Sequence, residues 1–228
     1  MPGTKKEQVS VDISKVLDGI EKAVYDILKP WGFKKHGRTL HRFVSGDISQ
    51  VVHFQLGQAY RGENHLLWVN VGIRVPECMT RSFAPEPALK KYYHEYECNM
   101  RSGLGEIKGE KVSCYDLRNF TEKISEDIVR QIQTLVIPAF EALNSRDAIL
   151  QRRREFPRFD RLNSHLILLE ESMIYGRRGE REKATEAFRY YYDLFKNAQL
   201  AQKDPVTIQR HVQYLDELAK SLGIKMET

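Results

Sequence analysis

The chain has 228 residues, 41% of them hydrophobic and 29% charged, which is enough apolar material for a core and too little bias for a disordered chain. Its formal net charge of +5 permits an acidic partner such as nucleic acid, but an excess this small is equally typical of an ordinary soluble protein. The start lacks an apolar signal core and no run approaches the roughly 18 apolar residues that span a bilayer, so we expect a cytoplasmic protein that does not use a membrane.

A long amphipathic helix is predicted near the start of the chain. Ser10 or Asp12 can cap its first turn. Pro30 and Gly32 are expected to end it near Lys29, because the residue before a proline avoids helical geometry. Its apolar stripe, spaced at three- and four-residue steps, consists of Val9, Ile13, Val16, Leu17, Ile20, Val24, Ile27 and Leu28.

Three strands are predicted next, over residues 39–44, 48–56 and 66–75. Alternation gives the second and third strands one apolar face and one polar face. The turn between the first two strands leaves the register open. A loop of about three residues would place His41 on the polar face, whereas a two-residue turn at Gly46 and Asp47 would place it on the apolar face.

The rest of the chain alternates helical and extended patterns. A short helix is predicted over 89–103 and a fourth strand over 111–118. A further helical stripe, over 128–143, must be kinked or divided at Pro138. The arginine-rich residues 151–157 are predicted to be a linker to three more helices.

Together these patterns predict an α+β fold, in which a four-stranded antiparallel sheet is packed by helices and followed by a C-terminal helical extension. We expect an α+β domain over 1–150 and a helical extension packed on it over 158–228. The last helix is expected to stop at Gly223.

Five ordered blocks of the first domain carry a resemblance to a known family. They are Leu28-Lys-Pro-Trp-Gly-Phe-Lys-Lys, Arg38-Thr-Leu-His-Arg-Phe, Val51-Val-His-Phe-Gln, Val69-Asn-Val-Gly-Ile and Cys98-Asn-Met-Arg-Ser-Gly-Leu. Over roughly residues 9–150 the pattern resembles an uncharacterised, mainly bacterial family, domain of unknown function 4304. The resemblance implies an α+β domain without an assigned activity, cofactor or ligand, and it transfers no catalytic residue. The chain departs from the pattern at Cys114-Tyr115, where an aromatic pair is more usual.

The polar sheet face is the first candidate binding site. His53, Gln55, Trp68 and Asn70 would project from it together. Hydrogen-bonding groups beside one aromatic ring have the composition of a small-ligand site. The alternative is a solvated face, or a face covered by a helix with its amides bonded internally, since antiparallel sheets commonly leave one face wet.

A basic run is the second candidate. It consists of Lys34, Lys35, Arg38 and Arg42, with no acidic residue from 27 to 46. Aromatic residues interleave with these charges, so phosphate contacts and base stacking could combine here. A second basic cluster comprises Arg152, Arg153, Arg154, Arg158 and Arg161. Nucleic acid is a conceivable but not favoured partner, because no recognised binding motif accompanies the charge.

Glu106 and Lys108 match part of a metal-dependent nuclease signature, with Glu95 or Glu97 as the second carboxylate. Three glycines surround the pair, however, and favour a mobile loop. The histidines lack metal-ligand spacing, and Cys78, Cys98 and Cys114 suit neither a zinc site nor a disulfide framework. No catalytic residue, metal or cofactor is therefore predicted.

The first two C-terminal helices have the spacing of a tetratricopeptide-like hairpin. One unit is visible, whereas a solenoid needs about three repeats. A hairpin that serves the core is the favoured interpretation, and a protein partner bound through Tyr190, Tyr191 and Tyr192 is the alternative. The sequence thus predicts a non-enzymatic binding or protein-interaction module; the alternative is a nucleic-acid-binding protein or a metal-dependent nuclease.

Overall fold

An antiparallel sheet and eight α-helices make up the part of the chain that the computed structural model describes, which confirms the α+β class. Described are residues 11–58, 61–78, 90–110, 114–159, 164–199 and 205–225. Residues 164, 165, 198, 199, 205 and 207 are described by their backbone alone.

The sheet has six strands in these ranges, two more than expected. They are β1 (Lys34–His36), β2 (Thr39–Val44), β3 (Ile48–Leu56), β4 (Leu66–Arg74), β5 (Met100–Gly103) and β6 (Cys114–Asp116). Strands β1 to β5 pair antiparallel in chain order, and β6 pairs with the first residues of β4. The missed strand β1 is a short, exposed edge strand of two lysines and a histidine, so it carries no apolar alternation.

The β2–β3 loop has three residues, because Val44 pairs with Ile48. Gly46 has a φ of 85°, a left-handed conformation that glycine adopts without steric cost. This register places His41 opposite Val51 and on the polar face of the sheet. The longer of the two loops considered from the sequence is therefore the one that the structure adopts.

The first helix, α1 (Ile13–Leu28), begins and ends near the predicted positions. The Asp12 carboxylate accepts a hydrogen bond from the Lys15 backbone N–H at 3.2 Å, so Asp12 is the cap. A 3-10 turn over Lys29–Trp31 then leads to Gly32, whose φ of 85° reverses the chain.

The core lies between the apolar sheet face and a layer of helices. This layer contains α1, α3 (Glu122–Gln131) and α4 (Ile137–Ala142), with α2 (Leu104–Lys108) and α5 (Arg146–Arg152) at its margins. Fully buried side chains include Leu17, Val24, Val52, Phe54, Val69, Val71, Ile132 and Phe140. Burial of each large apolar side chain contributes about 1.5–3 kcal/mol to the free energy of folding.

One π-helical turn, Ile132–Val136, joins α3 to α4 directly before Pro138. A proline lacks the N–H that a regular helix would bond to the preceding turn. The wider turn keeps the apolar stripe continuous, so the expected break is a local widening of one helical run.

The predicted helix over 89–103 is wrong for the described residues 90–103. They contain a 3-10 turn, Glu95–Glu97, followed by β5. Long-range contacts override the local pattern here. The Asn99 side chain accepts a hydrogen bond from the Val75 backbone N–H at 2.7 Å, and Tyr92 stacks on His36 with ring centroids 3.7 Å apart.

The three predicted C-terminal helices are present as α6 (Ser164–Arg177), α7 (Arg181–Gln199) and α8 (Pro205–Ser221). They share a second core that includes Leu169, Phe188 and Leu215, while Ile174 of α6 belongs to the first core. The extension is thus packed on the sheet domain. None of the described helices is both long and apolar enough to cross a membrane.

The arginine-rich segment 151–157 is held by both parts of the fold. Arg153 is 1% exposed, and its Nη1 atom donates to the Glu170 carboxylate of α6 at 2.6 Å. The boundary between the domains 1–150 and 158–228 stays a prediction.

Gly72→Ala is expected to lower the free energy of unfolding by about 1–3 kcal/mol, through overpacking. A Cβ atom at Gly72 of β4 would lie 2.7 Å from the Cβ and Sγ atoms of Cys98. Chemical denaturation measures the change. The control is Gly19→Ala on exposed α1 surface, where a Cβ meets no atom within 4 Å, and it should stabilise the protein by up to about 1 kcal/mol. Similar effects of both substitutions would contradict this account.

Candidate functional site

The pairing of β3 with β4 brings all four predicted polar-face residues together. His53 lies opposite Asn70, and Gln55 opposite Trp68. The Asn70 amide donates to the Gln55 carbonyl at 3.1 Å, so the two amides partly satisfy each other. His41 joins this face from β2.

Residues 92–98 cross over the polar face and cover much of it. The His94 ring meets the His53 ring edge-on with centroids 5.9 Å apart, and the Arg74 guanidinium lies 4.0 Å from the centre of the Tyr93 ring. Cys98 sits directly above Gly72. An irregular segment, instead of the helix considered from the sequence, thus covers this face.

We call His36, His41, His53, His94 and Tyr92 the histidine cluster, because neighbouring members lie in ring contact. Burial lowers the pKa of His41, and the nearby His36 and Lys34 lower it further. Burial also lowers the pKa of His53, as do His94 and Arg38. These two imidazoles are therefore neutral at neutral pH. No group of three or more histidine, cysteine or acidic side chains in the described ranges could hold a metal ion.

Most of the basic run is engaged by carboxylates from elsewhere in the chain. Lys35 pairs with Glu21 at 2.7 Å, and Arg38 lies 3.8 Å from the same carboxylate. Glu21 belongs to α1 and is buried. Lys34 is exposed on β1. The positive charge that the sequence concentrates here is partly neutralised.

Arg42 is a structural residue between the sheet and α4. Its guanidinium bonds the Gln50 amide at 2.7 Å, the Trp31 carbonyl at 2.9 Å and the Glu141 carboxylate. Each of the three guanidinium nitrogens of Arg42 thus already donates a hydrogen bond within the fold. A phosphate would have to displace these partners to reach it.

The second basic cluster is also bound internally where it is described. Arg152 pairs with Glu155, and Arg154 with Glu171. Arg158 donates to the backbone carbonyl of Lys108. Arg161 lies outside the described residues.

The nuclease-like residues Glu106 and Lys108 lie in α2, so the expected mobile loop is wrong. The Glu106 carboxylate accepts hydrogen bonds from the Gly103 N–H at 2.9 Å and the Ser102 hydroxyl at 3.1 Å. Glu106 thus caps the first turn of α2. Lys108 pairs with Glu110.

The tyrosines proposed as partner anchors divide between surface and core. Tyr190 is 59% exposed on α7, whereas Tyr191 is buried in the second core. The Tyr191 hydroxyl shares a hydrogen bond of 2.8 Å with the Nε2 atom of His211. Only part of the tyrosine triplet is therefore open to a partner.

A cleft of about 790 Å³, which the sequence did not predict, lies between the sheet domain and the helical extension. Its sheet-side wall contains Cys78, Tyr96, Cys98, Asn99 and Arg101. Tyr96 is 63% exposed. Burial raises the pKa of both Cys78 and Cys98, which keeps these thiols protonated.

The helical wall of the cleft combines apolar and polar side chains. It contains Leu166, Leu169, Glu170 and Met173 of α6, together with His211 and Tyr214 of α8. The Glu170 carboxylate is buried, and both Arg153 and the Asn99 amide donate to it, at 2.6 and 2.8 Å. Burial lowers the pKa of His211.

The cleft has one faint signal in the sequence. Glu170, Glu171 and Ser172 interrupt the apolar face of a predicted helix, and buried charges require partners. Two partners of Glu170 are Asn99, which lies far away in sequence, and Arg153, which lies in the segment interpreted as a linker. Their role therefore follows from tertiary structure alone.

The family model described as Domain of unknown function (DUF4304) matches residues 24–142. The match includes all six strands, the end of α1 from Val24 to Leu28, and the helices α2 to α4. No curated protein and no solved structure matches the chain.

Proposed function

We propose that this chain, which belongs to the family described as Domain of unknown function (DUF4304), is a non-enzymatic binding module whose ligand occupies the cleft. Since the family description assigns no activity, the proposal rests on one observation. The cleft has a volume of about 790 Å³, inside the range of about 300–1,000 Å³ typical of small-molecule sites. It also combines apolar side chains, such as Leu166, Leu169 and Met173, with polar groups that can orient a ligand, as such sites do.

The protonation and the hydrogen bonds of the polar groups in the cleft favour ligand binding over catalysis. A nucleophilic cysteine must be a thiolate, and burial opposes ionisation of Cys78 and Cys98. A general acid or base must be able to exchange a proton with a ligand, whereas Glu170 is bonded by Arg153 and Asn99. These side chains fix the shape and polarity of the cleft.

Nucleic-acid binding has weaker support. Lys35 and Arg38 share Glu21, and Arg42 is bonded on several sides. Phosphate contacts at these residues would compete with existing ion pairs. A protein partner on the C-terminal helices is supported by the exposed Tyr190 alone of the three tyrosines considered.

A fragment screen observed by NMR on the isotopically labelled full chain tests the proposal. We expect fragments to shift the amide signals of Tyr96, Asn99 and Leu169. Leu166→Trp should fill part of the cleft and weaken these fragments at least tenfold, by about 1.4 kcal/mol or more. Tyr190→Ala changes an exposed residue away from the cleft and should leave their affinities unchanged.

Two results would overturn the proposal. One is a diverse fragment set that shifts no signal of the cleft. The other is a set of hits whose affinities are insensitive to Leu166→Trp, because those hits would bind elsewhere.

A further inference from the structure

We infer that the cleft selects uncharged, largely apolar molecules, of the size of a two- or three-ring aromatic compound, that carry one hydrogen-bonding group. This inference rests on the proposed function and adds the chemical class of the ligand. The charges and the polarity of the two walls support this selectivity.

The helical wall offers an apolar surface to the ligand. Leu169 and Met173 are buried against the second core, and Leu166 packs beside them. Tyr214 lies on the same wall, and Tyr96 faces it from the other wall as an exposed ring. Aromatic and aliphatic surfaces of this kind favour flat apolar ligands.

Glu170, the one carboxylate among the described residues of the cleft lining, is compensated inside the protein. Glu170 receives hydrogen bonds from the Arg153 guanidinium at 2.6 Å and from the Asn99 amide at 2.8 Å. Arg153 is itself buried. The negative charge of Glu170 is therefore already balanced by the positive charge of Arg153, so it does not favour a cationic ligand.

Arg101, the one arginine or lysine among the described lining residues, is half-exposed and has an acidic neighbour. The Nη1 atom of Arg101 lies 3.8 Å from the Glu95 carboxylate. Arg101 remains partly in water, which screens its charge further. An anionic ligand would thus lose its hydration in the cleft without gaining a dedicated counter-charge.

Cys78, Cys98 and His211, three further groups of the described lining, are neutral at neutral pH. Burial keeps the Cys78 and Cys98 thiols protonated, and it lowers the pKa of His211. The Nε2 atom of His211 is bonded to the Tyr191 hydroxyl. Within the described residues no group bonds the Nδ1 atom, so the imidazole can offer that nitrogen to a hydroxyl group of a ligand.

Three probes that share one ring system and differ in charge test this inference. They are 2-naphthol, which is neutral at pH 7.5, the anion 2-naphthoate and the cation 2-naphthylmethylammonium. Affinities are measured for the full chain by NMR titration of the cleft amides. We expect 2-naphthol to bind at least tenfold more tightly than either ion.

Two variants separate the sources of this preference. Leu166→Arg adds a cation one helical turn from Glu170, whose carboxylate is already bound by Arg153 and Asn99, so it should reverse the order and favour 2-naphthoate over 2-naphthol. His211→Phe keeps an aromatic ring and removes both ring nitrogens, the one bonded to Tyr191 and the one offered to the ligand, so it should weaken 2-naphthol several-fold without favouring either ion. Circular dichroism confirms that each variant is folded.

Either of two outcomes overturns the inference. If an ion binds as tightly as 2-naphthol in the cleft of the unsubstituted chain, selection for neutral ligands is wrong while the cleft remains a binding site. If none of the three probes shifts a cleft signal, this ligand class is wrong. The diverse fragment screen then decides separately whether the cleft binds ligands at all.

Discussion

Glu170→Ala is expected to lower the free energy of unfolding by about 3–5 kcal/mol, the cost typical of removing one partner from a buried ion pair. Arg153 is 1% exposed, so its charge would stay in the interior without this carboxylate. The Asn99 amide would lose the same acceptor. Urea denaturation, followed by circular dichroism, measures the change.

A matched surface pair provides the control. Arg152 and Glu155 also form an ion pair, at 3.0 Å, but Glu155 is 55% exposed. Glu155→Ala should cost less than about 1 kcal/mol, because water replaces the lost partner. Equal losses for Glu155→Ala and Glu170→Ala would contradict the assignment of Glu170 to a buried ion pair.

Replacing both partners completes the test. The double substitution Arg153→Met with Glu170→Leu removes both charges and keeps apolar volume, so it should be more stable than Glu170→Ala. Additive losses in a double-mutant cycle would show that the two side chains do not interact.

Acidification from pH 7.5 to 5.5 is expected to destabilise the protein through the histidine cluster. The pKa values of His41 and His53 are lowered in the folded chain, mainly by burial. The unfolded chain therefore takes up protons first as the pH falls below about 6.5, and stability decreases until the folded pKa values are passed. Above neutral pH this contribution to stability is fully present.

The size of the effect is bounded by the number of protons. Each histidine contributes a slope of at most about 1.4 kcal/mol per pH unit, so the two give at most about 2.7 kcal/mol per pH unit. His211, whose pKa burial also lowers, adds to the slope in the same direction. Chemical denaturation at closely spaced pH values measures it.

Substitutions in the histidine cluster identify which groups cause the pH dependence of stability. His41→Phe keeps a ring against Tyr92 and Phe43 and removes one titrating group, so it should reduce the slope. Phe43→Leu alters the packing around His41 and removes no such group, so it should keep the slope. A stability that is constant from pH 7.5 to 5.5 would rule out neutral, buried histidines in this cluster.

Local sequence patterns were sufficient to predict the central strands β2 and β3. The bounds of β2 and β3 were predicted because alternation and turn residues lie within a few positions of each other. Strand β5 was missed because its pairing with β4 defines it, and its short sequence has no alternation of its own. The tyrosines before it mimic a helical stripe, but they pack against the histidines of a distant sheet face.

The residues of the candidate sites were harder to predict than the fold. The polar face was predicted correctly as a set of neighbours, since strand periodicity determines it. The ion pairs of the basic run could not be predicted, because the acidic partners Glu21 and Glu141 lie outside the run in sequence. The cleft could not be predicted, because Asn99 and Glu170 meet only after the sheet and the extension have packed.

The two walls of the cleft differ in how they relate to the family. The sheet-side wall lies within the matched residues 24–142, whereas every lining residue of α6 and α8 follows them. If the cleft binds a ligand as proposed, recognition is modular. A chain with the same family domain and a different C-terminal segment would keep one half of the cleft and exchange the other, so its ligand could change while its sheet stayed the same.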